Sequence, residues 1–278
     1  NFRFILPYAK KELRCPVIYY ILPKLWAWRA GRIRQLRRYV DLGLSILPFE
    51  TSYFSDRGLR TAYIGNPCVD AKLTYLAEHP EAVEREQMLL LVPGSRQSEL
   101  RDNLPEMLAA TAAYSQLGWR VVIAGAPGLT AADYAPHLGK YSDTPILFGD
   151  TYGLMRRAHA ALVTSGTATL EAGLWGIPMV VCYRMGGRRI ARLAFERLFR
   201  VPYFSLVNLI LDRPAVPELL ADRAHSVQIL SILSRLIPEE DHRRTDQLQA
   251  FTQLQELMGT EPSAPRAARA ILSYLHEA

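Results

Sequence analysis

The stretch that most constrains the fold covers residues 160–181 and reads AALVTSGTATLEAGLWGIPMVV. It opens with a short apolar run, too short for a helix, and closes after Gly-Ile-Pro with a second apolar run. Between them, Ser165-Gly166-Thr167 supplies a turn and hydroxyl groups suited to a helix N-cap. The order predicts a strand, a loop, a helix and a second strand.

The loop of this stretch predicts an anion site. Its free backbone N–H groups and the positive end of the following helix attract negative groups, usually a phosphate. Glu171 lies one helical turn after Thr167, where its carboxylate can accept hydrogen bonds from a ribose. An ordinary crossover between strands with a good N-cap explains the same residues, so the local pattern leaves both interpretations open.

The same order of features occurs earlier in the chain. Residues 89–92 form an apolar strand that ends at Pro93-Gly94-Ser95-Arg96, and a helix follows with Glu99 in its first turn. This arrangement predicts a second anion cradle that carries an arginine. In the simpler interpretation, Arg96 only forms a surface pair with Glu99.

Apolar strands alternate with helices along most of the chain. Strands are predicted at residues 15–21, 41–47, 61–64, 88–92, 120–124, 145–148, 160–163 and 178–183. This alternation favours a parallel sheet with helices on both faces. The linker between two domains is predicted within residues 71–86, which are polar and helical in pattern. Residues 218–220 and nearly all residues after 222 are predicted to be helical.

Composition narrows the class of protein. The 278 residues are 49% apolar and 22% charged, the balance of a folded protein whose length suggests about two domains. Cys15, Cys68 and Cys182 lack metal-ligand spacing and are predicted to be free thiols. No apolar run has the length of a membrane span.

The net charge of +6 favours polyanions or anionic membranes as partners, although the sequence shows no nucleic-acid-binding motif. Arginines concentrate in two predicted amphipathic helices, at residues 29–40 and 186–200. The basic face of the first helix is either solvated or in contact with a membrane surface. The composition of the second suits either a membrane surface or a buried helix with a basic rim. Trp26 and Trp28 are predicted to pack against other residues rather than against a sugar.

Three groups of residues together carry a resemblance to a known family. They are Trp26-Ala27-Trp28-Arg29 with Leu47-Pro48-Phe49-Glu50, Pro93-Gly94-Ser95-Arg96 with Glu99, and Ser165-Gly166-Thr167-Ala168-Thr169-Leu170-Glu171 with Tyr183-Arg184 and Ser205-Leu206-Val207-Asn208-Leu209. In this order and spacing, the chain resembles the lipid-A-disaccharide synthases, bacterial inverting glycosyltransferases of the GT-B type. The resemblance covers residues 1–220.

The resemblance implies an α/β fold with two Rossmann-like domains of the GT-B type, the first incomplete, and with C-terminal helices. Residues 1–75 are expected to form the C-terminal part of the acceptor-side domain, and residues 76–205 the donor domain, which binds the UDP-sugar. Residues 206–278 are expected to form a helical segment that packs back on the first domain.

The implied reaction moves 2,3-diacylglucosamine from UDP to the 6-hydroxyl of 2,3-diacylglucosamine 1-phosphate, which forms the lipid A disaccharide. No metal or other cofactor is expected, so amides, a helix N-terminus and arginine would stabilise the charge on the UDP leaving group. The residues that the resemblance implies for UDP binding are Gly94, Ser95, Arg96, Ser165, Gly166, Thr167, Glu171, Arg184 and Asn208.

The same resemblance implies partners and a location. The partners are UDP-diacylglucosamine, diacylglucosamine 1-phosphate and a membrane surface, with no nucleic acid, and association into a homo-oligomer is left open. The protein is expected in the cytoplasm, peripheral to the inner face of the bacterial cytoplasmic membrane.

Two departures from the family pattern keep other interpretations open. The family's acidic motif, thought to supply the catalytic base, precedes the position of Asn1, so the base is expected outside this chain, which reads as an N-terminally truncated form. Pro214 stands where the family usually has an acidic residue. The alternatives are a UDP-N-acetylglucosamine 2-epimerase or other GT-B enzyme, and a UDP-binding module that is inactive without the missing N-terminal part.

Overall fold

The structure, a computed structural model, describes residues 4–184 and 202–277. These residues form two compact units: unit 1 contains residues 4–74 and 255–277, and unit 2 contains residues 75–184 and 202–254. Residues 206–254 thus belong to unit 2, whereas the sequence-based division groups them with the C-terminal segment. The predicted basic helix at residues 186–200 lies outside the described residues. The acceptor and donor roles of the units stay predictions.

Unit 1 is built on a three-stranded parallel sheet in the order β1-β2-β3. Its first elements are α1 (Ile5–Lys11), β1 (Ile18–Tyr20), α2 (Ile33–Tyr39), β2 (Leu42–Ser45), α3 (Pro48–Ser55), β3 (Thr61–Tyr63) and α4 (Pro67–Glu78), whose last residues belong to unit 2. Leu36 of α2 and Phe54 of α3 are fully buried in one core cluster, and Leu44 of β2 is fully buried in another. All three strands were predicted from their apolar runs.

Glu50 anchors the first residues of α3 in unit 1. Its buried carboxylate accepts hydrogen bonds from Trp26 Nε1 at 2.9 Å and from the Leu47 amide at 3.2 Å. The Trp26 ring packs edge-on against Phe49, with ring centroids 5.1 Å apart, as predicted. Trp28 is instead 51% exposed, and the Arg29 guanidinium lies 4.4 Å from its ring centroid.

Burial makes Glu50 a source of pH-dependent stability. Desolvation raises the pKa of its carboxyl above the ordinary 4.5, against hydrogen bonds from Trp26 and Leu47 that lower it. The folded state therefore holds this proton to a higher pH than the unfolded state does, and the free energy of unfolding falls as the pH rises from 4.5 through the raised pKa. Relative to Glu50→Gln, the unmodified protein is expected to lose stability over that window.

Urea denaturation of both proteins between about pH 4 and pH 7 measures this difference. Glu12, which is exposed in unit 1, is the matched control, because Glu12→Gln reports the effect of removing a solvated carboxylate. A difference between Glu50→Gln and the unmodified protein that stays constant with pH would contradict the prediction.

Unit 2 is built on a six-stranded sheet in the order β6-β5-β4-β7-β8-β9, in which all neighbouring strands are parallel. Its strands are β4 (Met88–Val92), β5 (Arg120–Gly125), β6 (Ile146–Phe148), β7 (Ala160–Thr164), β8 (Met179–Tyr183) and β9 (Glu218–Leu220). The central β7 is buried along its whole length. The predicted α/β class with parallel sheets is confirmed.

The remaining helices connect and follow these strands. They are α5 (Gln97–Gln116), α6 (Ala131–Leu138), α7 (Thr151–Arg157), α8 (Thr167–Leu174), α9 (Leu206–Leu211), α10 (Ser226–Leu233), α11 (His242–Met258) and α12 (Ser263–Glu277). The prediction that nearly all residues after 222 are helical is confirmed, with the helices separated around Pro238 and at residues 259–262. Within the described ranges, no helix is both long enough and apolar enough to cross a membrane.

The prediction of a helix at residues 218–220 is wrong, because this segment is strand β9. It pairs in parallel with β8, with Val181 opposite Glu218 and Tyr183 opposite Leu220. Three residues are too few to show a periodic pattern, and pairing at the edge of the sheet overrides the helix propensity of Glu and Leu.

Candidate functional site

A cavity of about 550 Å³ lies at the carboxyl-end edge of the sheet in unit 2. The segments that follow β4, β5, β6 and β7 line it. The connections of the neighbouring strands β4 and β7 lead in opposite directions along the sheet, since β5 lies beside β4 and β8 beside β7. In open parallel sheets such a switch point is where ligands bind.

The loop after β4 brings a backbone amide and an arginine to this cavity. The Glu99 carboxylate accepts hydrogen bonds from the Ser95 amide at 2.8 Å and from Arg96 Nη1 at 2.7 Å. Gly94 has φ +116°, and a Cβ there would lie 2.4 Å from Glu99 Oε2. The Arg96–Glu99 pair therefore exists, and the Arg96 side chain, 75% exposed, also lines the cavity.

The loop after β7 presents the start of α8 to the same cavity. Gly166, not a hydroxyl residue, is the N-cap of α8, and no side chain accepts a hydrogen bond there from the first turn. The predicted hydroxyl N-cap is wrong, because Ser165 Oγ donates to the Phe204 carbonyl at 2.9 Å instead. The amides at the beginning of α8 therefore keep their capacity to bind an anion.

Seven of the nine residues predicted for UDP binding line this one cavity. They are Gly94, Ser95, Arg96, Ser165, Gly166, Thr167 and Glu171. Helix N-termini and Arg96 suit a negative group, whereas the Glu171 carboxylate suits hydroxyl groups. Their contact with UDP stays a prediction.

The structure places the other two predicted residues, Arg184 and Asn208, away from the cavity lining. Arg184 donates its amide to Asn103 Oδ1 at 2.8 Å, and its guanidinium pairs with Glu106. Asn208 is buried, and its side chain bonds both the amide and the carbonyl of Val216, at 2.8 and 2.9 Å. In this structure the Arg184 side chain joins the end of β8 to α5, and the Asn208 side chain joins α9 to the segment before β9.

Sequence reasoning missed two tyrosines that line the cavity, Tyr75 and Tyr152. Tyr152 Oη donates to Glu171 Oε1 at 2.8 Å, and Tyr75 Oη donates to Asp150 Oδ1 at 3.1 Å. One signal was available for Tyr152, since it follows the end of a predicted strand, at the edge where the other loops meet. Nothing in the sequence marks Tyr75, which lies in α4.

Thr164, the last residue of β7, also lines the cavity, and its Oγ1 is buried without a hydrogen-bond partner among the described residues. A buried hydroxyl in this state costs free energy, so Thr164→Val, which keeps the shape of the side chain, is expected to raise the free energy of unfolding by about 1–2 kcal/mol. Thermal or urea denaturation without ligand measures this change.

The matched control is Thr111→Val. The buried hydroxyl of Thr111 donates to the Met107 carbonyl at 2.9 Å, so its removal is expected to lower stability. A loss of stability in both variants would contradict the interpretation of Thr164.

Among the described residues there is no group of three His, Cys, Asp or Glu side chains that could hold a metal ion.

The family model described as lipid-A-disaccharide synthetase matches residues 1–271 of this chain. The chain belongs to the lipid-A-disaccharide synthase family. It is 34% identical over 284 residues to the lipid-A-disaccharide synthase of Myxococcus xanthus, covering 99% of this chain and 73% of that protein. It is 33% identical over 276 residues to that of Rhodospirillum centenum, covering 94% and 67%. The family of glycosyltransferases inferred from the three residue groups is thus confirmed.

Solved structures with a similar fold include two proteins in complex with a UDP-sugar. The UDP-GlcNAc 2-epimerase of Neisseria meningitidis bound to UDP-GlcNAc is 13% identical with a TM-score of 0.58, covering 95% of this chain and 71% of that one. Arabidopsis thaliana UGT89C1 complexed with UDP-L-rhamnose is 13% identical with a TM-score of 0.55, covering 96% and 68%. At these identities the likeness shows the fold alone and does not support the epimerase interpretation. The family membership favours the transferase interpretation.

Proposed function

We propose that this chain transfers 2,3-diacylglucosamine from UDP to the 6-hydroxyl of 2,3-diacylglucosamine 1-phosphate and binds the UDP part of the donor in the cavity of unit 2. The observation that carries the proposal is the meeting of two anion-binding loops, residues 93–96 and 165–167, at one cavity. Family membership supports the reaction, and the geometry of the loops supports the location of the donor.

The loops suit a reaction in which negative charge accumulates on a diphosphate leaving group. The amides at the start of α8 and the Arg96 guanidinium would stabilise that charge, since both are in place before the bond to the sugar breaks. Glu171 would accept hydrogen bonds from the ribose hydroxyls. We assign the base for the acceptor hydroxyl to none of the described residues.

The test is incubation of the purified chain with UDP-2,3-diacylglucosamine and 2,3-diacylglucosamine 1-phosphate, followed by chromatography of lipids and nucleotides. The expected products are the disaccharide 1-phosphate and UDP in equal amounts. UDP binding in calorimetry without product would favour the inactive binding module. Conversion of UDP-N-acetylglucosamine into its 2-epimer would favour the epimerase. Either result would overturn the proposed transfer by this chain.

We also propose that unit 1 contacts the inner face of the cytoplasmic membrane, where acylated substrates reside. Trp28 of unit 1 is 51% exposed, and the Arg29 guanidinium lies 4.4 Å from the centroid of its ring. On α2, three arginines are exposed: Arg34, Arg37 and Arg38. Exposed apolar side chains beside cations are typical of contact with anionic membrane surfaces.

Sedimentation with lipid vesicles tests this contact. The protein is expected to sediment with vesicles that contain phosphatidylglycerol, to stay in solution with pure phosphatidylcholine, and to be released by salt. Equal sedimentation with both vesicles would contradict the electrostatic part of the proposal. Light scattering of the same preparation determines whether copies of the chain associate.

A further inference from the structure

Tyr152 occupies a fixed position at the edge of the cavity. It is the second residue of α7, and Asp150 caps this helix by accepting the Gly153 amide at 3.0 Å. Gly153 permits this close approach, because a Cβ there would lie 2.2 Å from Asp150 Oδ1. The cap fixes the backbone of the first turn of α7 and therefore the position of the Tyr152 Cα and Cβ atoms.

Two other aromatic rings hold the ring of Tyr152. Its centroid lies 5.8 Å from that of Tyr75, with the rings nearly perpendicular, and 5.7 Å from that of Trp175. Tyr75 and Trp175 also contact each other edge to face at 5.6 Å. Tyr75 is itself fixed by its hydrogen bond to Asp150. Three mutually packed rings leave the Tyr152 hydroxyl little freedom to move.

That hydroxyl donates to one oxygen of Glu171, with 2.8 Å between Oη and Oε1. An ionised carboxylate accepts several hydrogen bonds, so this contact leaves capacity for a ligand. A free glutamate side chain loses rotamer freedom when it binds a ligand, and the tyrosine removes much of that freedom beforehand.

We propose that Tyr152 is a positioning residue for the donor: its hydroxyl holds the Glu171 carboxylate in the orientation that accepts hydrogen bonds from the ribose of UDP. This inference rests on the proposed function of the cavity. It adds a side chain that no sequence motif marks and that acts on the ribose only through Glu171.

Calorimetry with UDP and with 2′,3′-dideoxy-UDP tests this role in the full chain. Tyr152→Phe keeps the ring and removes only the hydroxyl, so UDP is expected to bind about five- to tenfold more weakly. Dideoxy-UDP lacks the ribose hydroxyls and is expected to bind the variant and the unmodified protein equally. In a Glu171→Ala background, Tyr152→Phe is expected to cause no further loss of UDP affinity, because no acceptor oxygen remains at position 171 for the tyrosine to orient.

Tyr114→Phe is the matched control, since Tyr114 also packs edge-on against an aromatic ring, that of Trp119, and does not line the cavity. An equal loss for UDP and dideoxy-UDP would reveal a general structural effect and overturn the inference. Unchanged UDP affinity in Tyr152→Phe would overturn it while the donor site stands. An unmodified protein that binds no UDP would overturn the proposed donor site and this inference together.

Discussion

Replacing Arg96 with alanine is expected to lower kcat for disaccharide formation by about 100- to 1000-fold, the usual cost of removing one donor that stabilises transition-state charge. Among the described residues that line the cavity, Arg96 is the single arginine or lysine. Its charge matters most when the bond between sugar and diphosphate breaks, since the negative charge on UDP then increases. Steady-state kinetics with the diacylated donor measures the effect.

The stability of the protein should change little in Arg96→Ala. The Arg96 side chain is 75% exposed, and an exposed ion pair such as that with Glu99 contributes about 0–1 kcal/mol. Arg101→Ala is the matched control: this arginine lies in α5, the helix that follows Arg96, is 63% exposed and pairs with Asp102, away from the cavity. An Arg96→Ala variant with unchanged kcat and UDP affinity would exclude the phosphate-binding role.

The second large effect is expected from Gly94→Ala. Gly94 has φ +116°, which an alanine adopts only with strain, and the new Cβ would lie 2.4 Å from Glu99 Oε2 and 2.6 Å from Glu99 Cβ. The loop must therefore move, which carries the Ser95 amide and Arg96 out of position. Since a displacement of about 1 Å can reduce catalysis about 100-fold, we expect a loss of kcat/KM of that size.

Gly118→Ala separates backbone strain from the steric clash. Gly118 also has a positive φ, +83°, but a Cβ there meets nothing within 4 Å, and the residue lies outside the cavity lining. Both variants are expected to lose about 1–3 kcal/mol of stability from the strained backbone. Transfer should fall in Gly94→Ala and remain in Gly118→Ala. Equal kinetics of the two variants would show that the loop tolerates the added atom.

Local patterns predicted the parts of the site in which a strand runs directly into a loop and a helix. Gly94 to Arg96 and Ser165 to Thr167 each follow an apolar strand, and parallel strands place such loops at one edge of the sheet. Short strands without periodicity, such as β9, left no comparable signal.

Residues whose role depends on distant partners could not be placed from the sequence. Asn208 was predicted to bind UDP because its segment resembles one of the family's motifs. Its side-chain amide group instead hydrogen-bonds the backbone N–H and the backbone carbonyl of Val216. The position of Tyr152 after a predicted strand places it near the edge of the sheet, but the sequence does not show that its hydroxyl meets Glu171. In both cases the deciding fact is the tertiary neighbour, which local propensity does not contain.

The order of strands in unit 2 also affects how the cavity forms during folding. Leu89 of β4 lies opposite Ala160 of β7, so the central pair joins segments about seventy residues apart in the chain. Closing so long a loop is entropically unfavourable and slow compared with forming a helix. The two loops that we propose to bind the donor therefore meet only after the central strands have paired. The proposed UDP binding is expected to recover during refolding with the completion of the sheet rather than with the appearance of helical structure.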